Sequence, residues 1–99
     1  MINVDFQVRR AAGQDYDRLA NLIYYEANSH RHLDWYSPLE WLGAPNYWVC
    51  EEGGKVTAAL ACPQDPPHVA WIRFFGCLQY IPPSQVWQPL WDAARQEMI

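Results

Sequence analysis

Two histidines and an aspartate alternate with other residues in one polar stretch, as His30-x-His32-x-Asp34. Imidazole and carboxylate groups are common zinc ligands, so this spacing could supply three ligands from one loop. No cysteine or second cluster of such residues stands nearby to complete a tetrahedral set. We therefore interpret the stretch as a solvated polar loop and predict no metal site.

Isolated residues offer weaker candidates for acid–base or nucleophilic chemistry. His68 begins a long apolar stretch, but without an identified partner a structural histidine is favoured over a general base. The chain has three cysteines, an odd number, and they lack C-x-x-C spacing: Cys50, Cys62 and Cys77. This pattern indicates neither a disulfide framework nor a zinc site. Cys77 has no adjacent cation that would activate its thiol. The catalytic residues therefore remain unassigned.

Arg73 is the charged residue inside an otherwise apolar run, VAWIRFFGCL. A buried guanidinium needs a partner, and Glu26, Glu40 and Glu51 are the possible ones. A structural ion pair is favoured over a ligand-binding role, because such pairs are the common explanation for a buried charge.

Tryptophan is unusually abundant, with six residues in the chain. Most should lie in the core, because each buries a large apolar area. Trp87 and Trp91 are one helical turn apart and are expected to be partly exposed, as in a contact surface for a second copy or another domain. The six positions are Trp35, Trp41, Trp48, Trp71, Trp87 and Trp91.

Length and charge narrow the class of protein. The chain has 99 residues, a formal charge of −4 and 51% apolar residues, which fits one globular domain over residues 1–99. The seven cations are scattered, which argues against nucleic acid and anionic membranes as partners. No apolar run approaches the ~18 residues of a membrane span, and no signal peptide is visible, so we predict a cytoplasmic protein.

The first half of the chain shows strand and then helix periodicity. Apolar residues alternate over Ile2–Val8, as in a half-buried strand, and recur at helical spacing from Gln14 to about Asn28. A polar loop is predicted over Asn28–Ser37. Ser37–Glu40 then forms a capping box for a helix of about two turns.

The second half is richer in strands. Tyr47–Cys50 and Val56–Cys62 predict a hairpin around a Gly-Gly turn, and His68–Leu78 predicts a long strand. Ser84 is the expected N-cap of a last helix, unless that helix begins near Pro89. The order strand, helix, helix, strand, strand, strand, helix indicates an α/β or α+β fold, with a mostly antiparallel sheet covered by helices.

Three segments in this order resemble the N-terminal half of the GNAT superfamily of N-acetyltransferases. VRRAAGQDYDRLANLI is similar to the family's first strand and helix, NYWVCEEGGKVTAALAC to its second and third strands, and HVAWIRFFGC to its fourth. The segments cover most of the chain, and their order carries the resemblance. It implies a GNAT-like half-fold that transfers acetyl from acetyl-CoA to a small-molecule amine.

The resemblance also implies where acetyl-CoA would bind. In the family, main-chain N–H groups of the fourth strand polarise the thioester carbonyl, and a glycine-rich loop before the next helix holds the pyrophosphate. The corresponding segment here, Tyr80–Gln88, has no glycine and contains two consecutive prolines. The positions that match the cofactor-binding ones are Phe75, Gly76, Cys77, Leu78, Ser84, Gln85 and Val86.

Two other functions fit the same residues. One is a non-catalytic GNAT-like module that has lost the cofactor and serves dimerisation or protein interaction. The other is a small ligand-binding domain unrelated to acetyl transfer, with an aromatic-lined pocket. The family's fifth strand is absent from the chain, so His68–Leu78 would be an apolar sheet edge. We expect this edge to pair with a second copy, or to be covered by another segment of a longer protein.

Overall fold

A five-stranded antiparallel sheet organises the parts of the chain that the computed structural model describes, namely residues 7–25, 28–31, 37–64 and 72–97. The strands are β1 (Gln7–Arg10), β2 (Asn28–Arg31), β3 (Tyr47–Glu52), β4 (Lys55–Ala61) and β5 (Phe74–Cys77). Their order across the sheet is β1-β3-β4-β5-β2, and every neighbouring pair is antiparallel. The predicted α+β class is confirmed.

Two helices pack on this sheet, α1 (Tyr16–Tyr25) and α2 (Pro83–Glu97). Successive side chains of a strand point to opposite faces. Phe75 contacts Trp87 of α2, whereas Phe74 lies fully buried on the other face, where α1 contacts β4 and β5. The core therefore has two layers around the sheet. Its largest fully buried side chains include Leu19, Leu22, Val49, Leu60, Phe74 and Leu90.

The predicted hairpin is confirmed as β3 and β4. Gly53 and Gly54 join the strands with φ values of 58° and 80°, a left-handed conformation that glycine adopts without a steric penalty. Residues on both sides of this turn are paired, and the register shifts once between Cys50 and Glu51.

Two predictions about strands are wrong, namely the polar loop at Asn28–Arg31 and the position of β5 at an edge of the sheet. Asn28–Arg31, expected in a polar loop, forms β2 and pairs with β5 from Asn28 opposite Cys77 to Arg31 opposite Phe74. Polar residues can form such a strand because main-chain hydrogen bonds to a neighbour do not depend on side-chain type. Consequently β5 lies between β4 and β2 and is not an edge. The reason for expecting β5 to pair with a second copy is thereby removed.

Helix boundaries also differ from the prediction. Pro38–Trp41 is a single 3-10 turn rather than two helical turns, although Ser37 caps it by accepting the Leu39 N–H as expected. Helix α2 begins at Pro83, so Ser84 lies inside its first turn and is not the N-cap. Proline suits this first position because its missing N–H would have no partner there. The helix continues through Pro89.

Some predictions fall outside the described residues. They concern the strand over Ile2–Phe6, the first part of the His68–Leu78 strand and the position of Met98. In its described part the predicted His68–Leu78 strand is shorter than expected, because β5 spans only Phe74–Cys77 and leaves out Ile72, Arg73 and Leu78. No helix among the described residues is long and apolar enough to cross a membrane.

Gly76 is the glycine that the packing of β5 requires. A Cβ added there would lie 2.5 Å from Cζ of Phe74, whose side chain is fully buried, so that the ring or the strand must shift. We expect Gly76→Ala to lower the free energy of unfolding by about 1–3 kcal/mol, the usual cost of overpacking. Gly13→Ala is the control, because no atom lies within 4 Å of its added Cβ. Equal urea midpoints for the two variants would contradict this account.

Candidate functional site

The residues matched to a cofactor site lie where β5 ends and α2 begins. Gly76, Cys77 and Leu78 are buried, Phe75 is half-buried, and Val86 points into the core. Ser84 and Gln85 are exposed on the first turn of α2. The structure therefore gathers the predicted residues in one region, but presents the side chains of only some of them to solvent.

Main-chain groups of β5 are flanked by strands on both sides. Phe75 lies opposite Leu60 of β4 and opposite His30 of β2, and Cys77 lies opposite Ala58 and Asn28. A ligand carbonyl that sought these N–H groups from the open side of β4–β5 would meet β2 there. Polarising such a carbonyl would require β2 to move away.

The connection from β5 to α2 uses its own main-chain donors. The Ile81 N–H donates to the Leu78 carbonyl and the Gln85 N–H to the Pro82 carbonyl, each at 2.9 Å. Pro82 and Pro83 carry no N–H. This connection therefore presents fewer main-chain donors to an anion than a glycine-rich loop does.

A small pocket lies beside the same connection, between α1 and the start of β4. Its volume is about 280 Å³. Two cations from distant parts of the sequence, Arg18 of α1 and Lys55 of β4, line it. Its remaining lining residues are Asn21, Val56, Leu78, Gln79 and Tyr80. Of these residues, the family resemblance selects only Leu78 for a site, because nothing in the local sequence pattern relates Arg18 to Lys55.

A second hollow lies at the other end of α2, with a volume of about 380 Å³. Arg10 and Glu97 both line it and form an ion pair, so its charges compensate each other. Glu97 also accepts the Asn46 N–H at 2.8 Å, and Asn46 accepts the Trp48 indole N–H at 2.7 Å. The Arg10 guanidinium lowers the pKa of the Glu97 carboxyl. This cluster holds the end of α2 against β1 and β3.

Arg9 forms the corresponding cluster on the opposite face of β1. Its guanidinium donates to both carboxylate oxygens of Asp15, at 2.8 and 2.9 Å, and its Nε donates to Glu51 at 2.6 Å. Asp15 is 3% exposed and also accepts the Ala12 N–H. The hydrogen bonds from Arg9 lower the pKa of the Asp15 carboxyl, although burial opposes them.

Arg73 stacks on an aromatic ring. Its guanidinium carbon lies 5.1 Å from the ring centre of Trp41, a cation–π distance. Glu51, one of its expected partners, is held by Arg9, and Glu40 is exposed. Glu26 lies outside the described residues.

The predicted tryptophan pair is formed on α2. Trp87 and Trp91 stack with ring centres 5.7 Å apart, and Phe75 meets Trp87 edge-on at 5.3 Å. Both indoles are half-buried. Trp35 and Trp71 lie outside the described residues.

The three cysteines are free and buried. Burial raises the pKa of the Cys50 thiol to about 12 and also raises that of Cys62. The Cys77 thiol donates to the Ile81 carbonyl at 3.4 Å. Thiolate, the reactive form of cysteine, is thus disfavoured at Cys50 and Cys62.

Within the described ranges, no group of three or more His, Cys, Asp or Glu side chains is placed to hold a metal ion. His32, Asp34, His68 and the side chain of His30 lie outside that description. No protein-family model matches the chain, and no curated protein matches its sequence.

The Arg9–Asp15 pair yields a prediction about stability and pH. Asp15→Asn removes a buried carboxylate from a bidentate pair and should cost about 2 kcal/mol of unfolding free energy, less than a fully buried pair because Arg9 is partly exposed. Since folding lowers the Asp15 pKa, this contribution is present above about pH 4 and is lost as the pH falls through the native pKa. Urea titrations from pH 7 to pH 2.5 would measure the difference.

The control for this prediction is Asp92→Asn, which removes an exposed carboxylate that meets Arg95 at 3.4 Å. It should change stability by less than about 0.5 kcal/mol at every pH. If the difference in unfolding free energy between Asp15→Asn and the parent protein stays constant down to pH 2.5, the charge of the Asp15 carboxylate does not stabilise the fold.

Proposed function

We propose that this chain is a GNAT-like domain. The support is the order of its elements: β1, β3, β4 and β5 follow one another across the sheet as an antiparallel series. Helix α1 lies between the first two of these strands in sequence, and α2 follows the last. This series is similar to the order expected of the resembled N-terminal half and includes the Gly-Gly hairpin, although β2 is an additional strand.

Acetyl-CoA is the cofactor that such a domain implies, and its fit can be judged from β5 and α2. The main chain of β5 is paired on both sides, and the α2 start has two prolines where pyrophosphate would need N–H donors. The described residues therefore do not fit the cofactor in the family's manner.

The function we propose is accordingly that of a non-catalytic GNAT-like module. The single observation that carries it is the pairing of β2 with β5, which occupies the side of the sheet where a thioester would enter. The stacked, half-buried Trp87 and Trp91 would then supply the contact surface of the module.

N-acetyltransferase activity toward an amine is the second candidate. The pocket at the β5–α2 connection favours it, because Arg18 and Lys55 place positive charge near the residues expected to meet a cofactor. Under this alternative β2 would leave β5 when acetyl-CoA binds.

Thermal unfolding with acetyl-CoA and with free CoA separates the two candidates. A ligand at 100 times its dissociation constant stabilises a fold by about 2.7 kcal/mol, which shifts the melting temperature of a domain this size by roughly 10 °C. We expect no shift at millimolar cofactor, as a non-catalytic module requires.

A matched pair of variants shows whether any shift arises at α2. Ser84→Glu places a negative charge on the exposed first turn, where it would repel pyrophosphate, whereas Gln88→Glu places the same charge one turn later. A shift in the parent protein that survives Gln88→Glu and is lost in Ser84→Glu would show that the first turn of α2 binds the cofactor. It would overturn the loss of cofactor binding on which the non-catalytic function rests.

A further inference from the structure

Four arginines in the described part of this acidic chain are engaged with other side chains. Arg9 and Arg10 form ion pairs on the two faces of β1, Arg95 meets Asp92 on α2, and Arg73 stacks on Trp41. The three ion pairs neutralise much of the charge of Arg9, Arg10 and Arg95 and leave little of it for a ligand.

Arg18 and Lys55 differ from the ion-paired arginines Arg9, Arg10 and Arg95. Both are exposed, and in residues 7–25, 28–31, 37–64 and 72–97 neither forms an ion pair. Both line the 280 Å³ pocket between α1, β4 and the β5–α2 connection. Two cationic residues that line one concave surface raise the local positive potential, even in a protein of net negative charge.

Besides the two cations, polar and apolar residues line this pocket. Asn21 and Gln79 are the polar uncharged residues of the lining, while Val56 and Leu78 are buried apolar residues. The ring of Tyr80, 70% exposed, lies 5.9 Å from the Lys55 ammonium. The aromatic face thus borders the cationic end of the pocket.

We propose that this pocket binds a small phosphate ester. Arg18 and Lys55 hold the phosphate by charge-assisted hydrogen bonds, and the apolar or ring-bearing part of the ligand lies against Tyr80. The volume is at the lower end of ligand pockets, which favours a compact ester over a dinucleotide. This assignment stands apart from the proposed function, since it needs neither the β5 main chain nor the first turn of α2.

A carboxylate close to Lys55 should lower the affinity of the pocket for phosphate. Glu52 lies directly opposite Lys55 in the β3–β4 register, so its negative charge acts on the same end of the pocket. Removal of that charge should strengthen phosphate binding, whereas removal of either cation should weaken it.

Isothermal titration of the full chain with phenyl phosphate and with inorganic phosphate, at constant ionic strength, tests the site. We expect both to bind, with phenyl phosphate binding more tightly because its ring contacts Tyr80. Arg18→Gln and Lys55→Gln should each weaken binding by about tenfold or more, and Glu52→Gln should strengthen it. Amide NMR shifts should be confined to the pocket residues.

Arg95→Gln is the control, because Arg95 is an exposed arginine on α2 outside the pocket lining. An equal loss of affinity in Arg95→Gln would show that phosphate responds only to overall charge and would overturn the site. Affinity unchanged in Arg18→Gln and Lys55→Gln would overturn it as well. Binding of phenyl phosphate with no response to acetyl-CoA would sustain the site independently of any acetyltransferase activity.

Discussion

Two consecutive arginines of β1 join the sheet to the segments on its opposite faces. Since neighbouring side chains of a strand alternate in direction, Arg9 reaches Asp15, just before α1, while Arg10 reaches Glu97, at the end of α2. Each guanidinium is bidentate, which fixes orientation as well as distance. An edge strand of four residues thereby anchors one end of the whole layered fold.

The elements that the sequence predicts well are those whose signals are local. The Gly53-Gly54 turn requires positive φ, which glycine supplies, and the apolar stripe of α2 repeats at helical spacing over Val86, Leu90 and Ala94. Strand β2 has no such signal. Its four polar residues become a strand through main-chain pairing with β5, a partner far along the sequence. Tertiary pairing of this kind cannot be read from side-chain periodicity.

The residues of the candidate site are likewise predictable from the sequence where they are close together in the chain, and not where they are far apart. The resemblance selected a contiguous set at the β5–α2 junction, and the structure brings those residues together. It does not relate Arg18 to Lys55, because their proximity depends on how α1 crosses the sheet. The sequence also does not show that Glu51 pairs with Arg9 rather than with Arg73, because several carboxylates are available to each arginine. The pairing of β1 with β3 brings Glu51 close to Arg9.

The position of β2 has a consequence for how the chain folds. This strand precedes β3 in sequence, yet it occupies the far edge and touches only β5 within the sheet. The β3–β4 hairpin can close locally, but β2 has no template until β5 has docked on β4. Its pairing closes a long loop and raises the contact order, which slows folding. Strand β2 therefore joins the sheet only after β5, and as an edge strand held by one neighbour it should exchange its amide hydrogens with solvent sooner than β4 or β5.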